Sequence, residues 1–186
     1  MRTALVATLA LSLLGFALPA GAETYRNAAP GFSIDYPDGW KIQPGEGDLR
    51  TSAVGPGSAM NVSVAAASRP DFDADRFSDA ELQRIGDRLA ASVAGELKNF
   101  ELVERGAATL GGKRAAYFRW RALTELPSGR VETVGYYVAT AHRGLVYSVT
   151  GVTQARLAKR MQPRILDAIE SFRFLETSVP GEAESP

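Results

Sequence analysis

The stretch from residue 113 to residue 153 leaves this chain the fewest options. Residues 113–124 and 131–141 are long runs rich in aromatic and β-branched side chains, joined across Leu126-Pro127-Ser128-Gly129, and 145–153 returns after His142-Arg143-Gly144. Runs of that length separated by turns that short form hairpins, so the three strands make an antiparallel meander. If Glu125 pairs with Arg130, Phe118 faces Tyr137, Trp120 sits over Gly135, and Arg119 lies opposite Tyr136. A three-residue turn with Gly144 left-handed then sets Ala141 against Leu145. That register puts Tyr147 and Val149 on the largely apolar face of Phe118, Trp120 and Tyr137, and gives the other face Tyr117, Arg119, Arg121, Glu132, Tyr136, Ser148 and Thr150. A one-residue slip in either hairpin exchanges the faces.

Upstream, Phe32, Ile34 and Tyr36 alternate with Ser33 and Asp35 as a first strand, and Pro37-Asp38-Gly39 supplies turn chemistry before Trp40. Trp40 and Ile42 open a short second strand, with Trp40 expected to be buried. Residues 49–54 and 60–67 make a further hairpin, preceded by a loop at 44–48. Ser78-Asp79-Ala80-Glu81 has capping-box spacing, and Leu82, Ile85, Leu89, Val93 and Leu97 then form one apolar helical stripe. Residues 100–110 read as a strand ending in a Gly111-Gly112 turn. A last helix spans about 155–172, where Pro163 forces either a kink or a start at Gln162. Residues 172–175 add an edge strand. Strands grouped with two helices in one unbroken composition make a single α+β domain over 23–176: an antiparallel sheet of about six to eight strands with helices on its faces.

The ends read differently. Met1-Arg2, an apolar run over 4–18 and the small residues Ala20 and Ala22 form a secretory signal peptide over 1–22, removed before Glu23. The apolar run falls short of the ~20 residues a membrane helix needs. With no Cys anywhere, disulfides, thiol catalysis and a lipid-bearing Cys are excluded. The 21 basic and 21 acidic residues balance, and loss of Arg2 with the leader tips the mature chain to one net negative charge. No strong field draws it to nucleic acid. The expected destination is the periplasm or cell exterior, with no membrane anchor in the mature chain. Residues 177–186, rich in Pro, Gly, Ser and Glu, read as a disordered tail.

Gly31-Phe32-Ser33-Ile34-Asp35-Tyr36-Pro37-Asp38-Gly39-Trp40, Leu110-Gly111-Gly112-Lys113-Arg114-Ala115 before a long strand, and Val146-Tyr147-Ser148-Val149-Thr150 before the last helix resemble segments of the PsbP-like superfamily. That group takes in the extrinsic PsbP subunit of photosystem II, a Ran-binding import factor of similar fold, and exported bacterial proteins of unassigned function. The resemblance covers 24–175. It implies an α/β/α sandwich whose members mostly bind proteins or stabilise assemblies and share no catalytic centre. It carries over no metal ligand and no contact surface onto residues of this chain.

The residues themselves offer three candidate sites. Asp71, Asp73 and Asp75 have the spacing of the first calcium-loop ligands, but Arg76 stands where an EF-hand needs Gly and Leu82 where it needs Glu. His142 is the only histidine and falls in a turn, which rules out a multi-His metal site and a His-based nucleophile. Tyr117, Arg119, Arg121 and Tyr136 form the sharper set. Two guanidinium groups on alternate strand positions beside phenols suit a carboxylate or phosphate, unless Glu132 neutralises them. Phe118, Trp120, Tyr137 and Tyr147 read as core. The expectation is a non-enzymatic module with no cofactor that binds an unidentified envelope protein as an accessory or stabilising factor. The alternative is a carrier of a small anionic ligand on the face of Arg119 and Arg121.

Overall fold

The computed structural model describes residues 22–56, 60–68, 76–126 and 129–176. The leader, the Asp71, Asp73 and Asp75 loop, and the tail lie outside them. In chain order the elements are β1 (Ala22–Asn27), β2 (Phe32–Pro37), β3 (Lys41–Pro44), β4 (Leu49–Val54), β5 (Met60–Ser68), α1 (Asp79–Glu96), β6 (Lys98–Leu110), β7 (Lys113–Leu126), β8 (Gly129–His142), β9 (Leu145–Gln154), α2 (Ala158–Ser171) and β10 (Arg173–Phe174). The meander is β7–β8–β9, set in a seven-stranded antiparallel sheet of order β3-β4-β5-β9-β8-β7-β6. A second sheet, β1-β2-β10, joins the two ends of the domain.

The β7–β8 register agrees with the sequence reading: Glu125 pairs with Arg130, Phe118 with Tyr137, Arg119 with Tyr136 and Trp120 with Gly135. The β8–β9 register does not. Arg143 (φ 52°) and Gly144 (φ 73°) are both left-handed and close a two-residue turn, so His142 rather than Ala141 faces Leu145. Two-residue turns of this hand match the twist of the strands they join, and that preference overrides the rarity of an Arg at positive φ. The slip moves Tyr147 and Val149 to the side of Tyr136 and Val138, and Ser148 and Thr150 to the side of Tyr137. His142 is thus the last residue of a strand, half-buried with its ring 4.2 Å from that of Phe174, and not a solvated turn residue.

Three further expectations change. Residues 22–27, to which the sequence reading assigns no element, pair along their whole length with β2. The corner after β2, where Gly39 takes φ 76° and Trp40 N–H donates to Pro37 O at 3.2 Å, passes the chain from one sheet to the other. Trp40 is buried there, as its position predicts. Finally, of the two alternatives at Pro163, the start of α2 at Gln162 does not hold. The helix begins at Ala158 after a 3-10 turn (Ala155–Leu157) and runs through Pro163. The missing proline N–H leaves the Lys159 carbonyl without its intrahelical donor, on an exposed stretch where water can take its place.

Each face of the large sheet has its own cover. α1 lies on β6 and β7, burying Leu82 and Ala90 and capped at Ser78 as its sequence dictates: Glu81 N–H donates to Ser78 Oγ at 3.3 Å and Ser78 N–H to Glu81 Oε2 at 2.8 Å. Beneath it Phe118 stacks on Tyr137, with centroids 4.8 Å apart, and Trp120 covers Gly135. On the opposite face α2 and the small sheet close over β9, β5 and β8. Ile165 seats on Gly151, and Phe32 stacks on Phe172 at 5.5 Å with Tyr147 edge-on. Tyr147 Oη donates to Pro30 O at 2.7 Å, and Ser171 Oγ accepts from Asp35 N–H at 2.8 Å, tying the small sheet to both. None of the described helices is long and apolar enough to cross a membrane.

Candidate functional site

Strand alternation sends Tyr117 and Arg119 of β7 to the α2 side, where Tyr136 of β8 stands directly across from Arg119. The strand on the other flank supplies the residue that completes the group. Gly111 (φ 58°) and Gly112 (φ 78°) form a tight two-residue turn that pairs Leu110 with Lys113 and carries Glu104 to a place opposite Arg119. Arg119 Nη2 lies 3.4 Å from Glu104 Oε2, with the Arg119 side chain about one-third exposed. The Tyr117 and Tyr136 phenols both stand within the electrostatic reach of Arg119 and Glu104. Arg119 Nε is buried with no hydrogen-bond partner among the described residues.

Three of the four expected residues therefore meet. The fourth, Arg121, is exposed further along β7, across from Glu101 and Val134. Glu132 is not the neutralising acid: it faces Leu123 and lines a shallow groove with Arg130 and Arg156. Glu104 takes that role, and extending the pairing from Leu110 and Lys113 along two residue numbers that sum to a constant would have found it in the sequence.

Burial pushes Tyr117 up to about 12, with the Glu104 charge adding to the rise and Arg119 opposing it. Burial likewise raises Tyr136 against the pull of Arg119. Both phenols are thus held protonated at neutral pH, and the single guanidinium is matched by one carboxylate. The group can hydrogen-bond and fix a surface.

Tyr117 also walls a cavity of about 790 Å³ between α2 and the sheet, with Val138, Leu166 and Ile169 as apolar lining and Glu170 and Arg173 at its edge. That volume lies in the range of ligand clefts. Of the remaining candidates, Phe118, Trp120 and Tyr137 are packed under α1, while Tyr147 belongs to the core around Phe172 on the other face. Among the described residues no group of three or more His, Asp or Glu is placed to hold a metal ion. Asp79 of the acidic stretch pairs with Arg114.

The family model described as PsbP matches residues 20–174, nearly all of the domain. The chain belongs to the PsbP family. Its fold is shared with cyanobacterial PsbP (CyanoP) of Synechocystis sp. PCC 6803, at 18% identity and a TM-score of 0.65 over 88% of this chain and 98% of that one. It is shared with LpqN, a protein involved in cell envelope biogenesis of Mycobacterium tuberculosis, at 14% identity and 0.55 over 84% and 91%. The Ran-binding protein Mog1p of Saccharomyces cerevisiae aligns at 9% identity and 0.54 over 86% and 98%. At these identities the solved structures bear on the fold alone. No curated protein sequence matches this one. In this PsbP-family chain the Glu104, Tyr117, Arg119 and Tyr136 group lies across β6, β7 and β8 of the large sheet.

Proposed function

We propose that this PsbP-family chain is an exported, non-catalytic module that binds another protein as an accessory or stabilising factor of an envelope complex. One observation carries the reading. The PsbP family model spans residues 20–174, and the polar group on the sheet face is internally paired, Arg119 with Glu104. Such a surface is suited to recognition through shape and hydrogen bonds. Export is supported by the leader-like sequence of residues 1–22, and cleavage before Glu23 would cost β1 only the pair Ala22–Pro37. The envelope role of LpqN, a neighbour in fold, points to the same compartment.

A photo-crosslinking residue placed at Leu102 or Val103, two exposed apolar positions on the edge strand β6, tests the reading in intact cells. The expected result is a discrete adduct with an envelope protein, formed by a mature chain whose N-terminus is Glu23. A full-length chain retained in the cytoplasm, or the absence of any adduct from sites across the surface, would overturn it.

The cavity bordered by Tyr117 favours a second reading, a carrier of a small anionic ligand. It ranks below the first because Glu104 already occupies Arg119, so an anion entering from that side must displace a carboxylate. Ligand-dependent rise in melting temperature without any protein adduct would reverse the order.

A further inference from the structure

The charges on α2 run against the helix that carries them. Arg156, Lys159, Arg160 and Arg164, all exposed, occupy the 3-10 turn and the N-terminal half, and Asp167 and Glu170 the C-terminal half. A helix dipole favours the reverse order, acids first and bases last. α1 shows how this chain charges a helix for stability: Asp79 and Glu81 fill its first turn and Ser78 caps it. α2 has Leu157 at its N-cap, makes no side-chain cap bond there and has no acid in its first turn. Fold stability does not account for that arrangement.

Nor do local ion pairs. Among the described residues none of the four cations forms a salt bridge. Arg156 Nε donates to the neutral Gln154 Oε1 at 2.9 Å. Glu132 shares a shallow groove with Arg156, and Asp35, Asp38 and Asp167 share another with Arg164, but none of these carboxylates bridges to a cation of the ridge. The cations therefore stand as a ridge of positive charge that forms no ion pair among the described residues, on a chain whose overall charges balance.

We infer that the ridge Arg156, Lys159, Arg160 and Arg164 docks onto an acidic surface of a protein partner. The inference rests on the accessory-module reading and names the partner's chemistry. Three of the four cations are Arg, whose planar fork matches carboxylates in pairs. A bilayer fits less well. Met161, Ile165, Ala168 and Ile169 are spent on the sheet, so α2 has no free apolar side to sink among lipid chains.

The test compares the full mature chain with a ridge variant, Lys159→Glu, Arg160→Glu and Arg164→Glu, and with an equal charge change on scattered exposed cations, Arg26→Glu, Arg84→Glu and Arg88→Glu. Binding to poly-L-glutamate at low salt should weaken about tenfold or more in the ridge variant, much less in the scattered variant, and fall with added salt in wild type. The ridge variant should remain folded and melt near wild type, the dipole gain of its first-turn acids offsetting the repulsion that Arg164→Glu meets from Asp35, Asp38 and Asp167; loss of binding with an intact fold is then a surface effect. Equal poly-L-glutamate binding by the two variants overturns the inference. So does tighter wild-type binding to phosphatidylglycerol vesicles than to poly-L-glutamate. An envelope protein cross-linked equally by wild type and ridge variant overturns it while leaving the accessory reading intact, whereas absence of adducts from both strikes the accessory reading.

Discussion

Gly135→Ala should be among the most disruptive single-methyl changes in this protein. An ideal Cβ at 135 would stand 2.0 Å from Trp120 Cε2 and 2.1 Å from Cζ2, whereas carbon atoms rest at roughly 3.5 Å or more. The indole must retreat by about 1.5 Å on that reckoning. It has no free direction to take, being 4% exposed, clustered with Ala90 and Leu89 of α1, and flanked by Phe100 at 6.2 Å. Gly135 has no positive φ, so the backbone adds no strain of its own and the whole effect is steric. Overpacking of this kind costs about 1–3 kcal/mol, and the closeness of the contact places Gly135→Ala near the upper end. Urea unfolding followed by far-ultraviolet circular dichroism measures it. Trp120→Phe opens room for the new methyl, so the double variant should be more stable than the two single costs imply, by about 1 kcal/mol or more and beyond the usual additivity error. A Gly135→Ala protein that unfolds within about 0.5 kcal/mol of wild type, or a strictly additive double variant, would refute the packing of β8 beneath Trp120.

Further outcomes follow from the cap and from the open face. Ser78→Ala should lower stability by about 1 kcal/mol in the same unfolding assay, since it removes one side of the capping box. The bonds from the Ser78 backbone N–H and then its hydroxyl hold Glu81 below the usual Glu value, so wild type should lose that contribution as pH falls through the lowered Glu81 pKa, and Ser78→Ala, which removes only the hydroxyl's share, should flatten that acid limb in part. Tyr117 works in the opposite sense. Its folded pKa of about 12 lies above the unfolded value of about 10, so its contribution is complete below pH 10 and is lost as pH rises toward 12; Tyr117→Phe should flatten that limb in an alkaline melting series. Glu104→Gln, at a half-exposed ion pair, should cost about 1 kcal/mol or less and lower the Tyr117 titration midpoint read by ultraviolet absorbance.

Much of this architecture is written locally. The Ser78 box, the apolar stripe of α1 and the β7–β8 register each depend on a few neighbouring residues and can be read without the rest of the chain. The β8–β9 register depends on whether Arg143 accepts a left-handed conformation, which its residue type argues against and the twist of two long strands enforces. That one angle decides which core receives Tyr147. The small sheet was half legible: the edge strand expected over 172–175 is β10 (Arg173–Phe174), whereas β1 reads Ala-Glu-Thr-Tyr-Arg-Asn and signals no strand until β2 is beside it. The candidate site falls between these cases. Tyr117, Arg119 and Tyr136 follow from alternation, while Glu104 requires the register of a second hairpin, which the Gly111-Gly112 turn encodes.

The β1-β2-β10 sheet also sets an order of events. Its central strand is finished at Pro37, but its partner β10 and the Phe172 ring that stacks on Phe32 come more than 130 residues later. For a chain made from its N-terminus, the first strands must wait, with Phe32, Ile34 and Tyr36 uncovered, until almost the last residue of the domain has emerged. Closure of the β2–β10 pair is a late step, because the entropy of closing so long a span is lost before the contact repays it. A chain cut short before Phe172 would therefore lack more than an end: its beginning would have nothing to fold against, and such fragments should be cleared by proteases while the full-length chain survives.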